Sequence, residues 1–201
     1  MTEPALRARA WSGSGRGRYL DDVWWLHGLL HAAFVRSPHA HARILGVDTG
    51  PARHRAGVEA VLAGGDLARG DLALRPRLEA PGFAPTGWPA LAASRVRFAG
   101  EPVAVVAARD PYAATDGCEA VLVEYEPLPA LASLEAALAP GAPSLHEALP
   151  GNVLIERRHA CGDVDGALAS AAVVIRETFT HARCSASPIE PRPTHRNWDI
   201  A

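Results

Sequence analysis

The sequence has no lysine: all 20 of its basic residues are arginine. This is the bias of a GC-rich coding sequence, and it leaves every fixed positive charge as a guanidinium, a group suited to interfaces and anion contacts. Cysteine is scarce as well. Cys118, Cys161 and Cys184 are odd in number and widely spaced, which excludes a disulfide framework and a CxxC pair and makes a reducing cytoplasm the expected location. No apolar run approaches the roughly 20 residues that span a bilayer. The opening MTEPALRARAWSGSGRG carries basic residues without an apolar core, so it does not read as a secretory signal. Neither sign of charge dominates, and a formal charge of −2 gives no reason to expect nucleic acid or an anionic membrane as partner.

What is present is ordinary for a globular protein of one core or slightly more: 201 residues, 48% hydrophobic and 21% charged. Residues 1–14 read as a loose leader. LHGLLHAAFVRS and HAHARILGVD read as two strands joined at Ser37-Pro38, where proline marks the corner. PARHRAG suits one or two helical turns with Pro51 at the first position, and VEAVLAG a short strand. Pro76, Pro81, Pro85 and Pro89, with Gly82 and Gly87, mark residues 64–94 as a long surface loop, a length often associated with function or an interface.

The clearest unit follows. VRFAGEPVAVVAA reads as a strand, DPYAATDGCEAVL as a helix and VEYEPLPAL as a second strand, together a β-α-β unit with a right-handed crossover in a mixed sheet. Asp110 is a good N-cap, Pro111 suits the first helical position, and Ala113, Gly117 and Val121 form a small-residue stripe against the sheet. SLEAALAPG reads as a brief helix capped by Ser133. The composition breaks near Pro150-Gly151, and GDVDGALASAAVVIRETFTH then reads as a capped helix feeding a strand, AAVVIRETF. The fold class is therefore α/β (α+β).

Candidate chemistry is thin. In AFVRSPHAHARI, a strand would put His39, His41 and Arg43 on one face, and the stretch reads as a metal site, an anion clamp or a scaffold corner. Metal is disfavoured by the missing further ligands and by the flanking cations Arg36 and Arg43. GSGRGRY lacks the preceding strand and following helix of a phosphate loop, and reads as a flexible turn. GDVDG lacks the later ligands of a calcium loop, so Asp163 reads as a helix cap. Glu124 and Glu126 alternate on one strand face and read as exposed charges rather than acid–base catalysts. HARCSAS gathers histidine, cysteine and serine without a supporting carboxylate, which leaves Cys184 as a packing residue. Trp24 and Trp25, with Leu20 and Leu26, suit either a partner-facing patch or a core.

Taken in order, GRGRYLDD, LLHAAFVRSPHAHARILGVDT, GVEAVLAGGDL, VRFAGEPVAVVAA, EAVLVEYEPLPAL, GDVDGALASAAVV and PIEPR, spread over residues 15–192, resemble the start of the large, molybdenum-binding subunit of the xanthine dehydrogenase, aldehyde oxidase and carbon monoxide dehydrogenase family. The resemblance implies an α/β hammerhead domain over residues 15–150 and, over 151–201, the truncated start of the first molybdopterin-binding domain. It assigns the FVRSPHAHARI stretch to the scaffold. Family enzymes hydroxylate a carbon centre or oxidise carbon monoxide at a molybdenum held by molybdopterin or its cytosine dinucleotide, and pass electrons through iron–sulfur clusters to FAD on other domains or subunits. The family's GGFG segment, molybdenum-facing glutamine and catalytic glutamate lie beyond the matched region, and the EPRP and THRNWDIA of this chain depart from the pattern. No catalytic, cofactor-binding or metal-ligating residue is therefore carried over. The expectation is an oxidoreductase component that is inactive alone, with the remainder of the large subunit and the FAD and iron–sulfur subunits as partners. The alternative is a non-catalytic scaffold or assembly module docking onto related subunits.

Overall fold

The computed structural model describes residues 27–67, 72–78, 80–182, 184 and 187. The leader, the GSGRGRY turn, the Trp24-Trp25 patch and the closing IEPRPTHRNWDIA lie outside the described residues. The chain separates into two compact units, one of Leu30–Gly162 and one formed by residues 1–29 with 163–201.

The first unit is built on two three-stranded sheets. Strands β1 (His31–Arg36), β7 (Pro102–Ala108) and β3 (Val58–Ala63) form one in the order β1-β7-β3. Strands β6 (Arg95–Val96), β2 (Ala42–Asp48) and β8 (Leu122–Pro127) form the other in the order β6-β2-β8. A short ladder joins β4 (Ala73–Leu74) to β5 (Trp88–Pro89). Every pairing is antiparallel. The near-continuous apolar run of β7 suits its central place, with Val103, Ala104, Val106 and Ala108 fully buried. Register irregularities adjust the sheets at Leu45 in β2, at Glu59 in β3 and at Val103 in β7, each a residue that its partner strand does not match.

Short helices fill the connections: α1 (Gly50–Arg53), α2 (Gly64–Leu67), α3 (Pro111–Glu119) and α4 (Leu134–Leu138). Asp110 caps α3 by accepting from the Ala113 N–H at 2.9 Å, and Ser133 caps α4 by accepting from Ala136 at 3.1 Å. Gly117 lets α3 lie on the first sheet, where a β-carbon would stand 2.8 Å from Val106 Cγ1. One cluster, including Val61, Ala104, Val106 and Val121, fills the space beneath that helix; a second joins Ala42, Ala92, Val96 and Val103. Val47 and Val123 pack against both.

The structure corrects the sequence reading of this unit at several points. Strand, helix and strand do follow one another over 102–127, but β7 and β8 belong to different sheets, so among the described residues there is no parallel crossover and no mixed sheet. Both hydrogen-bonding edges of β7 are taken by β1 and β3, and β8 completes its ladder on β2 instead. VRFAGEPVAVVAA is two strands: Gly100, at φ +90°, turns the chain between β6 and β7. Helix α3 is shorter than the apolar pattern suggested, so Val121 lies beyond its C-cap Ala120 and is still buried. His39 and His41 fall in the bend before β2, not on a strand.

In the second unit, helix α5 (Val164–Ser170) is capped as expected, with Asp163 accepting from the Gly166 N–H at 2.9 Å. AAVVIRETF is not a strand. A ladder needs a neighbouring backbone, and among the described residues none pairs with it.

Candidate functional site

The histidine corner is held from several sides. The Ser37 hydroxyl lies 3.0 Å from the His39 N–H, and the Ser37 and Gly100 amides donate to the carbonyls of Glu101 and Ser37. His41 is only 4% exposed. Its Nδ1 lies 2.7 Å from the Pro129 carbonyl, which can only accept, so Nδ1 carries the proton. The Leu128 N–H in turn donates to the His41 carbonyl at 2.9 Å. His41 therefore pins the segment leaving β8 to the bend entering β2. His39 turns elsewhere, edge-on to Tyr125 at 5.0 Å between ring centres. Burial raises the Tyr125 phenol pKa, with the Ser37 hydroxyl acting in the opposite direction.

The remaining candidates do not assemble. Glu124 and Glu126 are exposed, and Glu126 pairs with Arg43 at 3.1 Å. Cys118 is half-buried against the core, and burial pushes its thiol pKa up, away from a nucleophilic thiolate. Cys184 is exposed, which removes the packing role expected of it; Arg183, Ser185 and Ala186 lie outside the described residues. Among the described residues no three histidine, cysteine, aspartate or glutamate side chains converge on a point that could hold a metal ion.

A different group does converge. A cleft of about 550 Å³ in the first unit is bordered by Arg43, Arg75, Arg95 and Arg97, with Thr86, His146 and Glu147. Its parts come from β2, from the loop before β5, from β6 and from the segment after α4. Arg97 Nε donates to the Leu145 carbonyl at 3.0 Å and its Nη1 to the Arg95 carbonyl at 3.4 Å. Burial first, and Arg97 second, hold the His146 imidazole below its usual pKa. Asn152, at φ +59°, fastens this side of the cleft: its Oδ1 accepts from Leu145 N–H, and its Nδ2 donates to the Ala137 and Pro143 carbonyls. The sequence reading missed this group. The one signal for it is Arg95-Val96-Arg97, where strand alternation buries Val96 and sends both arginines to the opposite face.

Residues 14–129 match the family model described as aldehyde oxidase and xanthine dehydrogenase, a/b hammerhead domain, more than half of the chain. The chain belongs to this family. Among its relatives are the nicotine 6-hydroxylase large subunit of Paenarthrobacter nicotinovorans, 37% identical over 89% of this chain and 22% of that one, and the carbon monoxide dehydrogenase large chain of Afipia carboxidovorans, 40% identical over 88% and 23%. Similar solved structures include quinoline 2-oxidoreductase from Pseudomonas putida 86, with a TM-score of 0.76 at 40% identity over 85% of this chain and 22% of that one. Aldehyde oxidoreductase from Desulfovibrio gigas gives 0.73 at 32% identity, over 81% and 18%. The chain thus spans about a fifth of the length of the relatives it matches. The histidine corner lies inside the hammerhead match, whereas His146 and Glu147 of the cleft lie past its end. No described helix is long and apolar enough to cross a membrane.

Proposed function

We propose that this chain is the N-terminal, hammerhead portion of the large subunit of a molybdenum-dependent hydroxylase or dehydrogenase, and that it is catalytically incomplete by itself. The observation that carries the reading is the family match over 14–129 in a chain that spans 22% and 23% of two such large subunits. In this reading the metal and its pterin are held by the remainder of the subunit. Bound there, the cofactor would take electrons from the substrate and pass them to iron–sulfur and FAD partners.

What this portion contributes is a rigid scaffold. The described residues leave apolar side chains exposed on it, among them Phe34, Leu45, Leu62 and Leu122, a surface suited to further parts of the same subunit. Residues 151–201 begin the molybdopterin-binding domain in this reading. Val173, Ile175 and Phe179 are exposed there, as apolar residues are when the elements that would cover them are supplied by another segment.

The test is to purify the chain and assay it for molybdenum and for reduction of an artificial electron acceptor by aldehydes, purines, N-heterocycles and carbon monoxide. No molybdenum and no turnover are expected from the chain alone. Co-expression with the remaining segments of a related large subunit is expected to yield a stable complex. Turnover by the pure chain, or failure to associate with any such segment, overturns the reading.

A further inference from the structure

We propose that the outer face of the first sheet seats one amphipathic helix supplied by the remaining part of the large subunit. In the large-subunit reading, on which this rests, that face is where the rest of the subunit docks. A β-carbon on Gly117 of α3 would meet Val106 and Val58 on one side of the sheet, so the alternate residues point to the other side. The register sets Phe34 and Leu62 opposite Val105, and Ala32 and Ala60 opposite Ala107. Six side chains from three strands thus share one face, and none is polar.

An antiparallel sheet that faces water on one side carries polar residues there. The second sheet does so: Arg43, Asp48, Glu124 and Glu126 are exposed on its outer face. On the first sheet the equivalent place is held by Phe34 and Leu62, 45% and 43% exposed. Strand β7 is apolar on both sides, the pattern of a strand covered twice, and α3 covers it once.

The relief of the face suits a helix. Phe34 and Leu62 stand on the outer strands, with Val105 and Ala107 as the floor between, so the face is a shallow groove along β7. Neighbouring strands lie about 4.8 Å apart, which sets β1 and β3 about 10 Å apart, and a helix with its side chains is about 10 Å wide. The reverse face, with α3 upon it, shows that a sheet of this width takes one helix. Charge sets the direction. Arg36 is exposed at one end, where its Nη1 donates to the neutral Gly100 carbonyl at 2.9 Å and its guanidinium lies 5.7 Å from the centre of the Phe34 ring. At the other end, past the alanines, Arg109 is paired with Glu59. The incoming helix therefore places its C-terminus or an acidic residue at the Arg36 end. The matched stretch is 22% and 23% of two relatives, so most of such a subunit lies outside it and can supply the helix. The groove itself is framed within Leu30–Gly162.

The test is co-expression of the full chain with the part of the Afipia carboxidovorans carbon monoxide dehydrogenase large chain that follows the matched stretch. The wild-type chain is expected to co-purify with it. Leu62→Asp and Ala60→Arg, both at exposed positions, should weaken the association at least tenfold. Tyr112→Asp, at an exposed position of α3 across the sheet, should leave it unchanged. Arg36→Glu should weaken it more at low salt than at high salt. Leu62→Cys covers the case in which a charged variant fails to fold: its thiol should react with a maleimide in the chain alone and be protected in the complex, read by peptide mass. If the wild-type chain captures no segment, the large-subunit reading fails and the groove with it. If the complex forms but Ala60→Arg binds as the wild type does, Tyr112→Asp weakens it equally, or Leu62→Cys stays reactive, the groove alone is overturned. A chain that is dimeric by itself and made monomeric by Ala60→Arg also overturns it, by making a second copy the occupant.

Discussion

Gly117 carries more of the fold than its size suggests. A β-carbon there would approach Val106 Cγ1 to 2.8 Å and Val58 Cγ2 to 3.0 Å, so the helix and the sheet meet through the missing side chain. Gly117→Leu should overpack this contact and cost about 1–3 kcal/mol, read from the urea midpoint at unchanged slope. A wild-type midpoint would mean that the helix can lift from the sheet without penalty. His146 makes a pH-dependent contribution of the opposite kind. Its pKa in the folded chain lies below the ordinary 6.5, through burial and then Arg97. Between those two values the unfolded chain holds a proton that the folded chain does not, so stability rises with pH there. The contribution is complete above about 6.5 and is lost progressively as pH falls towards the folded pKa. His146→Gln should flatten this acid-side slope in unfolding measured from pH 7.5 to 5; an unchanged slope would assign the titration elsewhere.

At the scale of elements, α3 shows how a local signal becomes structure. Asp110, in an extended conformation, accepts from the Ala113 N–H, and Pro111 follows where no N–H is needed. Asp110→Ala should cost about 0.5–2 kcal/mol in denaturant unfolding, and Asp110→Asn should recover most of it. Equal loss in both variants would point to the charge rather than the cap. The same cap logic held for Ser133 and Asp163. Strand partners were less legible. Alternation and apolar runs located β1, β2, β3, β7 and β8, but adjacency in sequence misassigned β8, because the free edge it needed lay on β2, some 80 residues away in the chain. The two strands concealed in VRFAGEPVAVVAA were separable only by Gly100, whose φ of +90° a β-carbon would disfavour.

For the whole molecule, the question is where the compact part ends. The Ala84 N–H donates to the Leu154 carbonyl at 2.9 Å, so the chain is tied to the body past the Pro150-Gly151 break in composition. From Glu156 onward the described residues are exposed, and Phe179 reaches 92%. Limited trypsin treatment should therefore cut at Arg157 or Arg158 before any site between residues 30 and 154, and leave a folded fragment ending there. Mass spectrometry and circular dichroism of the product check this. Early cleavage within 30–154, or protection through 182, would contradict it. The exposed Val173, Ile175 and Phe179 should also make the full chain associate, with a larger hydrodynamic size than the trypsin-trimmed core.

By itself the sequence determined the local features and the kinship. Caps at Asp110, Ser133 and Asp163, the small-residue contact at Gly117 and the order of the family phrases are all written in consecutive residues, where one side chain and its near neighbours settle the outcome. Tertiary structure alone decided that β7 and β8 part into separate sheets, that His41 is a buried pin and His39 is not, and that Arg43, Arg75, Arg95 and Arg97 border one cleft. The physical reason is common to all three. Hydrogen-bonding edges, burial and charge convergence depend on which distant segments arrive at the same place, and a residue's near neighbours in sequence carry no record of that.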